Sequence, residues 1–258
     1  MTATKTQALQ EKKKNRLTVI DLLRGVSVIC MIVYHTLWDL VFVHGVDIPW
    51  FLGEGASVFQ SYIRWSFILL SGFSWSLGRS KIKRGVTVLL ASAIITLFTY
   101  FTMPDSMIKY GILMLIGSSM LLTVPADMIF KKVQPFVGLA LSFTFFMFTI
   151  NAEIGTFGFG KLFSVELPRY LYANELTAYL GFPPEHFRSS DYAPIVPWLF
   201  LFFAGYFIYG IFKKYDLLKH LSCVSLKPLE FIGRHSLIIY MIHQQLIYGV
   251  LYLIFCLI

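Results

Sequence analysis

Histidine, carboxylate and arginine side chains recur at helical spacing within stretches otherwise fit only for hydrocarbon, as in "SVICMIVYHTLWDLVFVHG" at residues 27–45. His35 and Asp39 are an i, i+4 pair. That spacing lets a carboxylate orient an imidazole and stabilise its charged form, as a general base with its helper does; the alternative is polar glue between helices. At about 100° per residue, Asp21, Arg24, His35 and Asp39 fall within an arc of about 60°. They make one polar stripe. Asp21 and Arg24 can satisfy one another as an i, i+3 pair, and His35 lies about 16 Å farther along the axis than Arg24. His44 follows a few residues later.

Two further stretches carry similar groups. Gln60, Arg64, Ser71 and Gly78 share one helical face to within about 40°, and Arg64 is placed either to neutralise Asp39 or to stabilise an anionic substrate group or oxyanion. In "FIGRHSLIIYMIHQQLIYG", Ser236, Tyr240 and His243 share a face, with Gln244 and Gln245 beside it. A membrane helix does not direct His-Gln-Gln at lipid, so that face turns inward, as a cavity lining or as glue. Tyr240 is a second candidate for holding an oxyanion. Arg234 and Arg79 stand at the ends of apolar segments, where phosphates of a cytosolic donor could meet them; ordinary topology charges and headgroup contacts account equally for such residues. No HExxH, His-x-His or cysteine pair is present, so no metal site is assigned.

The elements that must position these groups are membrane-spanning. The 258 residues are 57% hydrophobic and 14% charged, with a mean hydropathy of +0.68, too apolar for a soluble domain of this length. A bilayer core about 30 Å thick needs roughly 20 apolar helical residues. Seven windows meet that need, at about 17–43, 56–78, 85–103, 107–124, 134–151, 194–212 and 233–257. They are continuous runs rather than ten-residue alternations, which predicts an all-α polytopic bundle of about seven spans rather than a barrel. The first window is too long and too polar at its start for a cleaved signal peptide and is expected to stay in the mature protein.

Orientation follows from lysine and arginine. Sixteen fall in the tail 1–16 and the stretches 79–84, 125–133 and 213–234, against four (Lys109, Lys161, Arg169 and Arg188) in the alternate loops. The N-terminus is therefore expected in the cytoplasm and the C-terminus outside. The same asymmetry explains the pI of about 9.3 and leaves no reason to invoke nucleic acid. Cys30, Cys223 and Cys256 form no CxxC pair and say nothing about disulfides. A basic tail, 1–16, precedes a single transmembrane domain, 17–258, whose one long loop, 152–193, is aromatic and proline-rich. Short interfacial helices are expected there at about 162–181, either as an extracytoplasmic cap or resting on lipid.

"RLTVIDLLRGVSVICMIVYHTLWDL", "DYAPIVPWLFLFFAGYFIYG" and "FIGRHSLIIYMIHQQLI", taken together and in this order, resemble bacterial membrane proteins of the heparan-α-glucosaminide N-acetyltransferase catalytic family. The resemblance implies an integral protein of the bacterial cytoplasmic membrane. It also implies acetyl transfer across the bilayer, from cytosolic acetyl-CoA (or another acyl-CoA) to an amine or hydroxyl of a sugar or glycan outside. A more distant likeness is to membrane acyltransferases that O-acylate cell-surface sugars, which carry an arginine and, eleven residues later, a histidine on their first span. Arg24 and His35 have that spacing, which gives His35 the catalytic position, helped by Asp39. In the animal lysosomal enzyme the essential histidine lies beyond the first span, where His44 would match. On this reading Asp21, Arg24, Arg234 and Arg79 face the donor, and Asp191, Tyr192, Trp198, His243 and Gln244 the acceptor. Asp191 and Trp198 suit sugar hydrogen bonding and ring stacking, though Trp198 and its flanking prolines equally suit a helix start at the interface. A proton-coupled small-molecule transporter and a non-enzymatic scaffold stay open as other readings, as does homo-oligomerisation.

Overall fold

The computed structural model describes residues 17–160, 162–222 and 224–257. The basic tail 1–16, Lys161 and Cys223 lie outside the described residues. The fold is all-α apart from one small hairpin. Its helices are α1 (Thr18–Phe42), α2 (Pro49–Leu52), α3 (Glu54–Trp75), α4 (Lys81–Thr102), α5 (Ile112–Phe130), α6 (Pro135–Thr149), α7 (Glu175–Leu180), α8 (Ile195–Lys214), α9 (Lys227–Arg234) and α10 (Ser236–Leu257). Strands β1 (Thr156–Gly158) and β2 (Ser164–Glu166) pair antiparallel between α6 and α7.

Among the described residues, six helical segments are long and apolar enough to cross a bilayer: Thr18–Phe42, Lys81–Thr102, Ile112–Phe130, Pro135–Ile154, Ile195–Lys214 and Ser236–Phe255. They correspond to six of the seven expected windows. The remaining window is helix α3, 22 residues long; Gln60, Arg64 and its serines make it more polar than the rest. The helix expected at 107–124 begins later because Tyr110 takes a positive φ of 53°, and Asp191 accepts a hydrogen bond from the Ile112 amide at the new start (3.3 Å). It then runs on through Pro125 to Phe130. The window at 233–257 contains a break, since α9 ends at Arg234 and α10 starts at Ser236.

The chain divides into two compact units, Met1–Leu70 with Phe212–Ile258, and Ser71–Ile211. In the first, α1 packs on both α9 and α10. The α1–α9 contact is backbone against backbone. A Cβ on Gly25 would stand 2.2 Å from the Leu229 carbonyl oxygen, and one on Gly233 would stand 1.8 Å from that of Asp21. Small residues permit such approach where lipid supplies no hydrophobic drive for association. Around this seam Val28, Met31 and Ile63 are buried, with Phe59, Phe67, Ile232 and Ile239 packed against them. Leu23, Ile29, Val33 and Trp38, on other faces of α1, are exposed as lipid-facing residues should be. The Thr18 hydroxyl donates to the Val224 carbonyl (2.7 Å), tying the start of α1 to the segment before α9.

In the second unit α4 and α5 form the most extensive helix pair, and Gly72 admits the Phe202 carbonyl oxygen to 2.0 Å of where a Cβ would be. The Trp75 indole donates to the Met120 carbonyl (2.9 Å). The loop 152–193 belongs wholly to this unit. Its structure departs from the expected run of helices at 162–181: Ser164–Glu166 is a strand, Arg169–Tyr172 is a single 3₁₀ turn, and only Glu175–Leu180 is α-helical. The β-branched and aromatic residues there pair in a hairpin before the helix-favouring "ELTAYL" is reached. Asn174 caps that short helix, accepting from the Thr177 amide (3.1 Å).

The α1–α9 seam yields a stability prediction. Gly233→Val and Gly25→Val should each cost about 1–3 kcal/mol or more through overpacking, whereas Gly249→Ala, with nothing within 4 Å of the added carbon, should be neutral or slightly stabilising. Thermal unfolding in detergent measures all three; equal midpoints for Gly233→Val and Gly249→Ala would contradict the close seam.

Candidate active site

The polar stripe of α1 faces into the first unit. Asp21, Gly25, Val28 and Asp39 are all buried, as residues near multiples of 3.6 must be when one face of a helix is covered. At one end Arg24 Nη1 stands 3.4 Å from Asp21 Oδ1. At the other, Asp39 is 1% exposed, and its carboxyl oxygens accept from the Gln244 amide nitrogen on α10 at 3.0 and 3.1 Å. The Gln244 carbonyl oxygen is itself buried, with no hydrogen-bond partner among the described residues.

His35 lies beside His243. Their ring centroids are 4.9 Å apart at 58°, and Tyr34 meets His35 edge-on at 5.6 Å. His243 Nδ1 is 2.7 Å from the Tyr240 carbonyl oxygen. A carbonyl can only accept, so Nδ1 carries a proton, and in the neutral ring Nε2 keeps its lone pair. Tyr240 packs 5.4 Å from the His243 ring and 6.3 Å from Phe67. Arg64, on α3, interacts electrostatically with the Tyr34 hydroxyl. His44, just past the end of α1, stacks on Phe255 at 4.1 Å and 14°; its Nε2 is buried without a hydrogen-bond partner among the described residues.

The structure thus brings His35, Asp39, His44, Arg64, Tyr240, His243 and Gln244 into one unit, in pairings that spacing alone does not give. The Asp39 carboxyl bonds to Gln244, and no hydrogen bond joins it to His35 among the described residues. The short aspartate side chain reaches across to α10 rather than along α1. The neighbour of His35 is a second imidazole.

Asp21, Arg24 and Arg234 are also in this unit. Arg234 donates to Glu230 through Nε to the backbone carbonyl (3.0 Å) and through Nη2 to the carboxylate (3.4 Å). Glu230 is buried and also accepts from the Ser225 hydroxyl (2.6 Å). Its signal was weak, an acid in an eight-residue amphipathic helix. Arg79, Asp191, Tyr192 and Trp198 belong to the second unit. There Arg79 is exposed and Asp191 holds the start of α5. Tyr192 donates to the Ala178 carbonyl (2.5 Å), and Trp198 packs on Phe146 (5.5 Å). Burial pushes the Tyr192 phenol far above its ordinary range, so its hydroxyl remains a donor at any physiological pH.

A polar cluster in the second unit escaped the sequence reading. Asp127, near the end of α5, accepts from the Tyr206 hydroxyl (2.7 Å) and pairs with Lys131 (2.6 Å) and Lys81 (3.4 Å). Lys81 also sits 3.6 Å above the Trp75 ring. An acid in an apolar window followed by lysine four residues later was the available signal. Among the described residues no group of three or more His, Cys, Asp or Glu side chains is placed to hold a metal ion.

The Asp39–Gln244 contact is testable by a double-mutant cycle. Gln244→Leu strands a buried carboxyl and should cost about 1.5–3 kcal/mol, while Asp39→Leu with Gln244→Leu together should recover much of that loss. Additive losses, read from unfolding in detergent, would show that the two groups are not coupled.

Neither a curated protein nor a solved structure matches the chain. The family model described as "Heparan-alpha-glucosaminide N-acetyltransferase, catalytic" matches residues 16–245, a stretch that takes in all of α1, runs into the middle of α10 and includes His35, Asp39, His44, His243 and Gln244. The order of the three motif stretches, the apolar helices that carry them and this match agree: the chain belongs to the heparan-α-glucosaminide N-acetyltransferase catalytic family.

Proposed function

We infer that the protein is a membrane acyltransferase, a reading supported by its family membership and its helices long and apolar enough to cross a membrane. We propose, more specifically, that the protein moves an acetyl or other acyl group from cytosolic acyl-CoA to an amine or hydroxyl of a sugar or glycan on the far side of the membrane. The observation that carries the proposal is the His35–His243 pair, held in the same unit as the sealed Asp39–Gln244 contact. In this reading α3 is a seventh span. The N-terminus then lies in the cytoplasm and the C-terminus outside, and the bilayer is that of a bacterial cytoplasmic membrane.

Acyl transfer from a thioester requires a base for the acceptor proton, or a histidine that is transiently acylated, and a donor for the developing oxyanion. His35 takes the first role. If it acts as base, its ring nitrogen accepts the acceptor's proton while the amine or hydroxyl attacks the thioester carbonyl. The tetrahedral oxyanion is held by Arg64 or Tyr240; collapse breaks the C–S bond and expels the CoA thiolate, which takes the proton from His35 and leaves as the thiol. The unpartnered Gln244 carbonyl oxygen is a ready acceptor for a sugar N–H or O–H. Arg24, beside Asp21, and Arg234 would meet the donor's phosphates. A second reading rests on the buried, unpartnered Nε2 of His44, which would move the base to the end of α1.

Acetyl-CoA binding and slow hydrolysis by the detergent-purified protein test these roles. His35→Ala should retain binding and lose about a hundredfold or more in turnover, the low end of what general-base loss costs, while His44→Ala keeps turnover. Loss confined to His44→Ala would transfer the role to that residue. Absence of binding and turnover in the unmodified protein would remove the acyltransferase reading and favour a proton-coupled transporter. Loss of folded protein in His35→Ala would favour a structural histidine.

A further inference from the structure

We propose that the β1–β2 hairpin, with Phe159, Leu162 and Phe163 between its strands, forms an interfacial anchor that inserts apolar side chains into the lipid headgroup and upper acyl region where helix α6 ends. The hairpin is two-faced. Register pairs Thr156 with Glu166, Phe157 with Val165 and Gly158 with Ser164, and the Phe159 amide donates to the Phe163 carbonyl (2.8 Å) just beyond the strands. Side chains alternate along a strand, so Phe157, Phe159, Phe163 and Val165 share one face. Thr156, Ser164 and Glu166 share the other. Gly158, at φ 148° with the Phe163 carbonyl oxygen 2.0 Å from where a Cβ would be, lets the two strands close.

The apolar face continues the surface of a membrane-crossing segment. Pro135–Ile154 is long and apolar enough to span, and Phe148 within it meets Phe157 at 5.7 Å and Phe159 at 5.6 Å. Phe148 is the penultimate residue of α6, which ends at Thr149. Interfacial elements bury their apolar faces about 5–10 Å deep, and the hairpin meets α6 at its end, where such an element lies. Phe157 also meets Phe182 at 6.4 Å, but the apolar side chains farther out are open: Leu162 is 91% exposed, Ile154 77% and Phe163 56%. Exposed apolar side chains clustered beside a span, backed by a polar face, fit a bilayer boundary better than water.

The test uses single-cysteine variants in a Cys30→Ser, Cys223→Ser, Cys256→Ser background, labelled with an environment-sensitive fluorophore and reconstituted in phosphatidylcholine vesicles. Labels at Leu162→Cys and Phe163→Cys should emit at shorter wavelength and be quenched severalfold more by lipids carrying a nitroxide on the upper acyl chain than by aqueous iodide. A label at Asp216→Cys, whose side chain is 79% exposed in a charged turn, should show the reverse. Photolabelling of the unmodified protein by a lipid-borne diazirine, read by mass spectrometry, needs no substitution and should mark residues 159–165. Iodide-dominated quenching at 162 and 163 with no lipid label would overturn the proposal. So would a wavelength shift without lipid quenching, which would mean that the face docks on protein instead.

Discussion

A carboxyl group placed at the end of an apolar helix must find a partner inside the protein, because lipid supplies none. Asp39 finds Gln244, and much of the first unit follows from that contact. The bond fixes the rotation of α10 relative to α1, one residue from His243 and one turn from His35, and so brings the two imidazoles together. At the opposite end of α1 the Gly25 and Gly233 contacts hold α9 at backbone distance. With both ends fixed, α1 has little freedom to turn its stripe outward.

A pair of neighbouring imidazoles offers chemistry that neither ring offers alone. The Tyr240 carbonyl fixes the proton of His243 on Nδ1, which settles which nitrogen of the neutral ring can accept. Such a ring beside His35 can share a proton or hold its neighbour in one orientation, and it does so without a carboxylate in direct contact. Asp39 then acts one step removed, by positioning Gln244 and the helix that bears His243. His44 stacks on Phe255, and its amide donates to the Asp39 carbonyl (3.1 Å).

What was legible in the sequence was whatever depends on one helix at a time. The apolar windows, the inward polar stripe of α1 and the inward face of α10 follow from composition and from 3.6-residue periodicity, and the three motif stretches pointed to the family that the match over 16–245 establishes. Contacts between distant segments were not legible. Spacing suggested Asp39 for His35, whereas the reach of a short side chain and the presence of Gln244 across the seam decided otherwise. Asp127 was overlooked because its partners Tyr206 and Lys81 are 79 and 46 residues away. The hairpin was not legible, and its second strand falls inside the stretch 162–181 expected to be helical, because its alternation spans only three residues a strand, too few to register against the helix-compatible aromatics around it.

Acyl transfer across the membrane is the central proposal for this protein, and the most direct measurement is one of sidedness. Proteoliposomes enclosing a membrane-impermeant amino sugar would be given acetyl-CoA, labelled in the acetyl group, on the outside only, with vesicles of random protein orientation supplying both faces. The account predicts labelled N-acetyl or O-acetyl sugar inside the vesicles, absent when His35 is replaced by alanine in a variant that still folds. Label found only on acceptors supplied outside, or enclosed product undiminished by the replacement, would contradict it.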